Sequence, residues 1–355
     1  MRKLKNSKLT KLLSLTLALI FILGAFSGCG NNTDEETTTE APSTTQAPKE
    51  TVIRNPLTGE EGYSKKLLNN RPVFMVVENH PEARPQWGLT SSDIVWEMVA
   101  EGGITRMLLM YADASRIPEK VGPIRSARHY FVDLAEGFDG IFVHFGYSPM
   151  AQSQIKNHNV NNVNGLVDNY FYRDTSRNVA SEHTSYTTGE AIRNAIANKE
   201  YRTEIEEDYK APFKFNSKAR TLSAPCSKIK VAFSGSYTYT YTWDAEAKAY
   251  KSALNGEKFV DNEGKQQSFE NIIICYTDIT SIANDTKGRV DFDFSEGTGI
   301  YVSNGSYTDI TWKKGESDDM LKLYNKVGDE LSLNVGRTYI AIMDESTEHK
   351  NTITK

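Results

Sequence analysis

Short apolar runs bounded by Gly, Pro, Asn or Asp recur after residue 52, and they constrain the fold more than any other feature. In the first half the runs RPVFMVVEN, RMLLMYAD and GIFVHFGYS alternate with two segments predicted to be helical, SSDIVWEMVAEGG and SARHYFVDLAEGF. After about Pro212, strand-like runs follow one another without a helical pattern of comparable length. The pattern predicts an α/β domain over residues 52–210 and a mostly β domain over residues 211–350, α+β overall.

One helix and one strand are predicted most clearly. TTGEAIRNAIANKE opens with a threonine-rich capping stretch and has Glu190 in its first turn, which is typical of a helix start. YTYTYTW alternates strictly, so its aromatic side chains share one face of a strand. Such a stripe could stack on sugar rings, but it is more often the core face of a strand, and we favour the core.

The N-terminus carries the pattern of an export signal. A basic leader, MRKLKNSK, precedes the apolar run LLSLTLALIFILGAF, which is shorter than the roughly 18 residues of a spanning helix. FSGCG follows, and it resembles the lipobox of bacterial lipoproteins except that Phe26 replaces the usual leucine. The resemblance implies a signal peptide over residues 1–29 and a lipid-anchored Cys29. A buried thiol or an uncleaved anchor helix is the alternative.

The segment that follows, residues 30–51, is rich in Thr, Glu and Pro and is nearly free of large apolar side chains. A chain of this composition cannot bury enough surface to offset its conformational entropy. We therefore expect a disordered tether between the membrane and the folded body.

The charge balance argues against nucleic acid as a partner. The chain has 41 Lys and Arg against 46 Asp and Glu, a net charge of −5. No overall basic field would steer it onto a polyanion.

Cys226 and Cys275 both lie in the predicted β domain. A disulfide is allowed outside the membrane, but Cys275 stands in the apolar run NIIICY, where a thiol packs as a small apolar side chain. We favour two free, buried thiols.

Several motifs in order resemble those of the YerB-like lipoproteins, a bacterial family without an assigned activity. They include NPLTGE, RPVFMVVENHPEARPQWGL, DIVWEMVAEGGITRML, KVGPIRSARHYF, HFGYSP, FYRDTSR with EHTSYT, YTWD, and DITWKKG with GDELSLNVGRTYI. The resemblance covers nearly all of the chain beyond the tether. It implies membrane-anchored localisation and a two-domain body, but no chemistry.

Polar residues suited to a site concentrate in the first half. Five of the six histidines lie between residues 80 and 183, namely His80, His129, His144, His158 and His183. The motifs above also bring candidates to strand ends or to the turns that follow them: Glu101, Arg106, Arg125, Arg128, His144, Arg173 and Asp174. Ligands bind at such strand ends in open α/β sheets.

An anion pocket is the site these residues favour. Arg125 and Arg128 would share one face if RSARHYF were helical, and the preceding Gly-Pro would place that face at a helix N-terminus. We expect Arg106, Arg125, Arg128, His144, Arg173 and His183 to bind the ligand. The alternative is that the arginines form structural salt bridges with Glu97, Glu101 or Asp133.

Other chemistries have weaker support. His144 and His183 with Glu101 or Asp174 could bind a metal ion, but the spacings of known metal motifs are missing and the arginines would repel the ion, so we expect no metal and no cofactor. Ser148 follows a strand, but it lacks a GxSxG context and reads as a turn serine. Glu78, Glu97, Glu101 and Asp174 are carboxylates with no spacing that selects a glycosidase pair.

Two functions from different classes therefore remain. The first is an extracytoplasmic binding lipoprotein that holds an anionic envelope component or a partner protein. The second is an envelope hydrolase or transferase with His144, His183 or Glu101 as acid/base and arginines that stabilise developing negative charge.

Overall fold

A computed structural model describes residues 52–355. The predicted signal peptide, Cys29 and the predicted tether lie outside these residues. Within the described part, none of the helices combines the length and the apolar character needed to cross a membrane.

The first half alternates strands with helices. Its helices are α1 (His129–Gly137), α2 (Pro149–Asn157) and α3 (Gly189–Asn198). Its strands are β1 (Val73–Glu78), β2 (Ile94–Val99), β3 (Thr105–Tyr111), β4 (Ile141–His144), β5 (Asn162–Asn164), β6 (Tyr172–Arg173) and β7 (Ser185–Tyr186). Helix α3 is the predicted one, and the Thr188 hydroxyl caps it by accepting a hydrogen bond from the Ala191 amide.

The structure shows one helix prediction to be wrong and confirms another except at its start. SSDIVWEMVAEGG contains strand β2, whose side chains are buried on both faces, so the periodicity that separates a strand from a helix is lost. Helix α1 begins at His129, so Arg125 and Arg128 precede it in extended backbone and do not share a helix face.

The second half is mostly β, and its one described helical element is the 3-10 helix Glu345–Lys350. Its strands are β8 (Lys214–Phe215), β9 (Ala224–Pro225), β10 (Lys228–Ser234), β11 (Tyr237–Asp244), β12 (Ala249–Leu254), β13 (Glu257–Lys258), β14 (Ser268–Phe269), β15 (Asn271–Thr277), β16 (Ile279–Ser281), β17 (Val290–Phe292), β18 (Glu296–Ser303), β19 (Ser306–Lys313), β20 (Lys322–Tyr324), β21 (Ser332–Leu333), β22 (Thr338–Asp344) and β23 (Thr352–Thr354). The predicted α+β class is confirmed.

One central sheet combines strands from both halves. Its order is β20, β19, β18, β15, β22, β2, β3, β1, β4, β5, and β9 also pairs with β19. Strand β22 lies between β15 and β2 and runs parallel to both. A second sheet, in the order β13, β12, β11, β10, β23, also includes β14 on β12. The boundary between the predicted domains at residues 210 and 211 stays a prediction.

Both faces of the central sheet are buried. Alternate residues of β1 belong to opposite hydrophobic clusters, with Met75 in one and Phe74 in the other. The Met75 side is packed with the second sheet and α3, and the Phe74 side with α1. Tyr239 and Tyr241 of the aromatic stripe are about 1% exposed, so its prediction as a core face is confirmed.

The two cysteines of the second half are free and buried, as predicted. Cys226 belongs to the Met75 side of the core and Cys275 to the Phe74 side. Burial raises the pKa of the Cys275 thiol, so it packs as a neutral group.

Candidate functional site

Residues 122–128, the stretch GPIRSAR, separate the carboxyl ends of β1 and β4; we call them the strap. The two strands pair in parallel as far as Met75 and Val143. Beyond that point the Arg125 amide donates to the Val76 carbonyl at 2.8 Å, and the Phe145 amide donates to the Arg125 carbonyl at 3.0 Å. The strap therefore carries Arg125 to the carboxyl edge of the sheet, where ligands bind in open α/β folds.

The strap also positions a segment that is distant in sequence. The Ile124 amide donates to the Ser185 carbonyl at 2.7 Å, which holds β7 against the strap. The 3-10 turn Ser181–His183 precedes β7 directly, so His183 comes to lie beside Glu78, the last residue of β1.

At this edge a histidine–glutamate cluster forms, which we define as Glu78, His80, Glu82, Glu182 and His183. The Nδ1 atom of His183 lies 2.9 Å from Oε2 of Glu78, a pair in which both side chains are nearly fully buried. The Nε2 atom of His183 lies 3.3 Å from Oε2 of Glu82 and 3.7 Å from Oε1 of Glu182. The His80 and His183 rings stack with centroids 4.6 Å apart and planes 8° apart.

Arg125 contacts this cluster. Its Nε lies 3.0 Å from Oε1 of Glu78, and its Nη2 lies 3.3 Å from Oε1 of Glu182. Neither partner is one of the three carboxylates weighed from the sequence as salt-bridge partners of the arginines, Glu97, Glu101 and Asp133. The contact to Glu78 is an ion pair rather than a well-aligned hydrogen bond, because Nε has no partner of suitable geometry.

Arg106 and Arg128 share a different carboxylate. Arg128 binds Glu101 with both Nε and Nη2, the latter at 2.8 Å, and Arg106 approaches the same carboxylate at 3.5 Å. Burial opposes ionisation of Glu101, but the hydrogen bond and charge of Arg128 outweigh it and hold the pKa of Glu101 below its usual range. These contacts are structural ion pairs of the kind weighed above as the alternative. A ligand-binding role for Arg106 and Arg128, and a catalytic one for Glu101, stay predictions.

His144 lies apart from this cluster and is fully buried. Its Nδ1 lies 2.7 Å from the Gly146 carbonyl, and its Nε2 lies 3.1 Å from Oδ1 of Asn162. Burial lowers the pKa of His144, outweighing the hydrogen bonds that raise it. Both ring nitrogens are engaged inside the protein, so the structure gives His144 the surroundings of a structural neutral histidine.

Arg173 is exposed on β6. It donates to the Ser181 carbonyl and lies over the Phe145 ring, 4.6 Å from the centroid. Among the described residues, no carboxylate lies within ion-pair distance of Arg173. Its neighbour Asp174 instead pairs with Lys120 at 3.1 Å.

The carboxylates and the serine considered from sequence are also accounted for. Glu97 is fully buried and accepts hydrogen bonds from Asn79, Thr105, Tyr239 and Tyr339. Ser148 caps α2 by accepting from the Ala151 amide, which agrees with its interpretation as a turn serine. Neither residue is presented to solvent.

His80 and Glu82 have no predicted role from the sequence, yet they complete a group with His183. Ligand atoms of the three side chains lie within 4.8 Å of one another, and in the part of the chain that the structure describes this is the one such group of three. The sequence ENHPEA held a signal for this group, because Glu78, His80 and Glu82 occupy every second position at the end of a strand-like run. The proximity of His183 could not be read from sequence.

Comparisons with known proteins give the class of this chain. The model described as "Protein of unknown function (DUF3048) N-terminal domain" matches residues 57–202, and the corresponding C-terminal domain model matches residues 229–340. The chain therefore belongs to the DUF3048 family.

A relative and a solved structure make the likeness specific. The chain is 36% identical over 269 residues to "Putative lipoprotein YerB" of Bacillus subtilis (strain 168), covering 74% of this chain and 78% of that protein. The crystal structure of the YerB protein from Bacillus subtilis superposes with a TM-score of 0.74 at 34% identity, covering 85% of this chain and all of the solved chain. The predicted YerB-like resemblance is confirmed, and the relative supports the class of an uncharacterised lipoprotein.

Proposed function

We propose that this protein is a lipid-anchored binding protein on the extracytoplasmic face of the cell membrane, where it captures an anionic component of the cell envelope. The leader, the lipobox-like FSGCG and the lipoprotein relative support the anchor at Cys29. The folded residues 52–355 would then face the envelope.

The observation that carries the proposal is the uncompensated charge of Arg173. Its guanidinium has one carbonyl partner and the Phe145 ring, and no described carboxylate neutralises it. Burial, and after it the charge of Arg125, lowers the pKa of Arg173, which supports an unfavourable interaction between the two guanidinium groups. An anion placed between them would relieve that repulsion, and a guanidinium fork suits phosphate or carboxylate.

In this proposal, the other predicted ligand residues discussed below support the anion site and do not form its main contact. Arg125 is shared with Glu78 and Glu182, so it contributes part of a positive charge. Arg106 and Arg128 stabilise the strap through Glu101 and the Ser126 carbonyl. His183 contacts Glu78, which also pairs with Arg125.

The hydrolase or transferase alternative depends on His183. A histidine whose Nδ1 contacts a carboxylate is a common acid/base arrangement, and Glu78 supplies that carboxylate at 2.9 Å. Ser148 is engaged in capping α2 and both cysteines are buried, so these side chains do not offer the nucleophile of a covalent mechanism. The arrangement therefore favours binding.

The test measures binding of the chain from residue 30 to purified cell wall, before and after phosphate-containing polymers are removed from the wall. Binding to anionic lipid vesicles is measured separately. We expect Arg173→Ala to weaken binding about 10- to 100-fold, the range for one charge-assisted hydrogen bond. Arg193→Ala is the matched control, because Arg193 is also an exposed arginine that donates to a single carbonyl. Equal losses in the two variants, or binding that survives removal of all anionic polymers and lipids, would contradict the proposal.

A further inference from the structure

We propose that His80, Glu82 and His183 bind a divalent transition-metal ion of the zinc class. This goes beyond the anion-binding proposal, does not depend on it, and departs from our expectation of no metal from the sequence alone. The site uses two imidazole nitrogens and one carboxylate oxygen from the histidine–glutamate cluster.

The geometry already approaches that of a coordination site. Ligand atoms of a tetrahedral zinc ion, at bond lengths of about 2.1 Å, lie about 3.4 Å from each other. The Nε2 of His183 and Oε2 of Glu82 are 3.3 Å apart, so this pair needs no rearrangement. His80, which is half-buried, has to approach from within 4.8 Å, and its ring has to turn out of the parallel stack on His183, because the lone pair that binds a metal lies in the plane of each imidazole ring.

The surroundings of His183 give an independent reason. If Nδ1–H donates to Glu78, the lone pair of Nε2 faces the carboxylates of Glu82 and Glu182. A lone pair opposed by two acceptors is satisfied by a proton or by a metal cation. Because the side chain is nearly fully buried, bulk water has little access to take that place.

Glu78 has the position of a supporting carboxylate behind a metal-binding histidine. Such a group fixes the ring orientation and tautomer of the histidine and raises its basicity. Arg125 in turn pairs with Glu78 at 3.0 Å and holds that carboxylate in place. The positive charge of Arg125 is offset by Glu78 and Glu182, which reduces its repulsion of an ion.

Coordination of an ion costs His80 one exposed hydrogen bond and its parallel stacking on His183. Its Nδ1 accepts a hydrogen bond from the Glu82 amide at 3.2 Å in an exposed setting. Coordination through Nδ1 replaces that bond, and coordination through Nε2 moves the ring proton to Nδ1 and breaks it. Either way, one long solvent-exposed hydrogen bond is exchanged for a coordinate bond.

The donor set selects the class of ion. Two imidazoles and one carboxylate suit Zn²⁺ and its neighbours, whereas Mg²⁺ and Ca²⁺ prefer oxygen ligands throughout. Three protein ligands leave one position of a tetrahedral ion for water or an exogenous anion. Glu82 and Glu182 are exposed, so that position lies toward solvent.

The experiment is calorimetric titration of Zn²⁺ into the chelator-treated chain from residue 30, with Mg²⁺ titrated in parallel. We expect one equivalent of Zn²⁺ to bind, no competition from Mg²⁺, and a Zn²⁺-dependent rise in the melting temperature. His80→Ala and Glu82→Gln should each weaken binding at least tenfold; both side chains are at least partly exposed, so these variants are suited to fold normally. Glu78→Gln should weaken binding by about 10- to 100-fold without removing a ligand.

His158→Ala is the matched control. His158 also contacts a carboxylate, Glu136, at 2.8 Å, but that pair lacks a third ligand, so its loss should leave the stoichiometry and affinity unchanged. The proposal is overturned if no saturable binding of Zn²⁺ is measured. It is also overturned if His80→Ala and Glu82→Gln bind Zn²⁺ as tightly as the control. Arg173→Ala should bind Zn²⁺ normally, so failure of the anion proposal and failure of the metal proposal remain distinguishable.

Discussion

The Tyr339 hydroxyl donates a 2.8 Å hydrogen bond to the carboxylate of Glu97, a residue 242 positions earlier in the chain. Tyr239, also from the second half, donates to the same carboxylate at 3.0 Å. The acid is fully buried between the two sheets, and burial raises the pKa of Glu97 to about 7 although the hydrogen bonds oppose this. The titratable side chain of Glu97 thus links the two halves of the protein through hydrogen bonds.

The first prediction concerns pH and Glu97. The unfolded chain ionises at this residue near pH 4.5, while the folded protein keeps the proton up to about pH 7. The folded state therefore binds more protons in this window, and the free energy of unfolding falls as pH rises, by up to about 3 kcal/mol from this group. Glu97→Gln removes that contribution. Urea unfolding of both proteins across the window measures it, and a difference between them that stays constant with pH would contradict the prediction.

The second prediction concerns the Arg128–Glu101 ion pair. Arg128→Ala leaves the carboxylate of Glu101 poorly solvated, and we expect a loss of about 2 kcal/mol in the free energy of unfolding. Replacing both residues should cost less than the sum of the single changes, because the unpaired charge is then gone. The exposed Arg54–Glu61 pair, at 2.7 Å, is the control, and Arg54→Ala should cost under about 1 kcal/mol. Equal costs for the two arginines would argue against this structural role.

The third prediction follows from the lipobox-like motif. Cys29→Ala should leave the precursor unprocessed by the lipoprotein signal peptidase and abolish labelling by a fatty-acid probe. Cys226→Ala is the control for labelling, because that thiol is buried in the core. Undiminished labelling of the Cys29 variant would rule out acylation at this residue.

The fourth prediction tests the domain boundaries by limited proteolysis. We expect the first cuts in the tether, residues 30–51, and the next within residues 197–212, where most side chains are exposed. The two pieces of the nicked body should still elute together, because β22 pairs with β2 in the central sheet. Early cleavage inside YTYTYTW, or separation of the pieces without denaturant, would contradict this picture.

Local sequence patterns predicted much of this fold but little of its site. Apolar runs bounded by turn residues predict β1, β3 and β4, and alternation predicts the aromatic face of β11, because both patterns depend on neighbouring residues. For β2 the pattern predicts a helix instead, because Ser92 and Asp93 before the strand and the glycines after it look like helix caps, and burial on both faces leaves no alternation to correct that prediction.

The site depends on contacts between residues far apart in the chain. Glu78 and His183 are 105 positions apart and meet because the strap holds β7 against the end of β1. No local periodicity encodes such an approach. The same holds for Arg125, which belongs to an extended strap and not to the helix that its neighbours suggested.

The central place of β22 has a consequence for how the protein is made. Residues 338–344 complete the sheet between β2 and β15, yet the ribosome adds them only after every other strand of that sheet has been made. Until then, β2 exposes an apolar edge that lacks its hydrogen-bonding partner, the kind of edge at which chains aggregate. The central sheet therefore cannot close until β22 has been made, and β2 lacks one of its two neighbours until then.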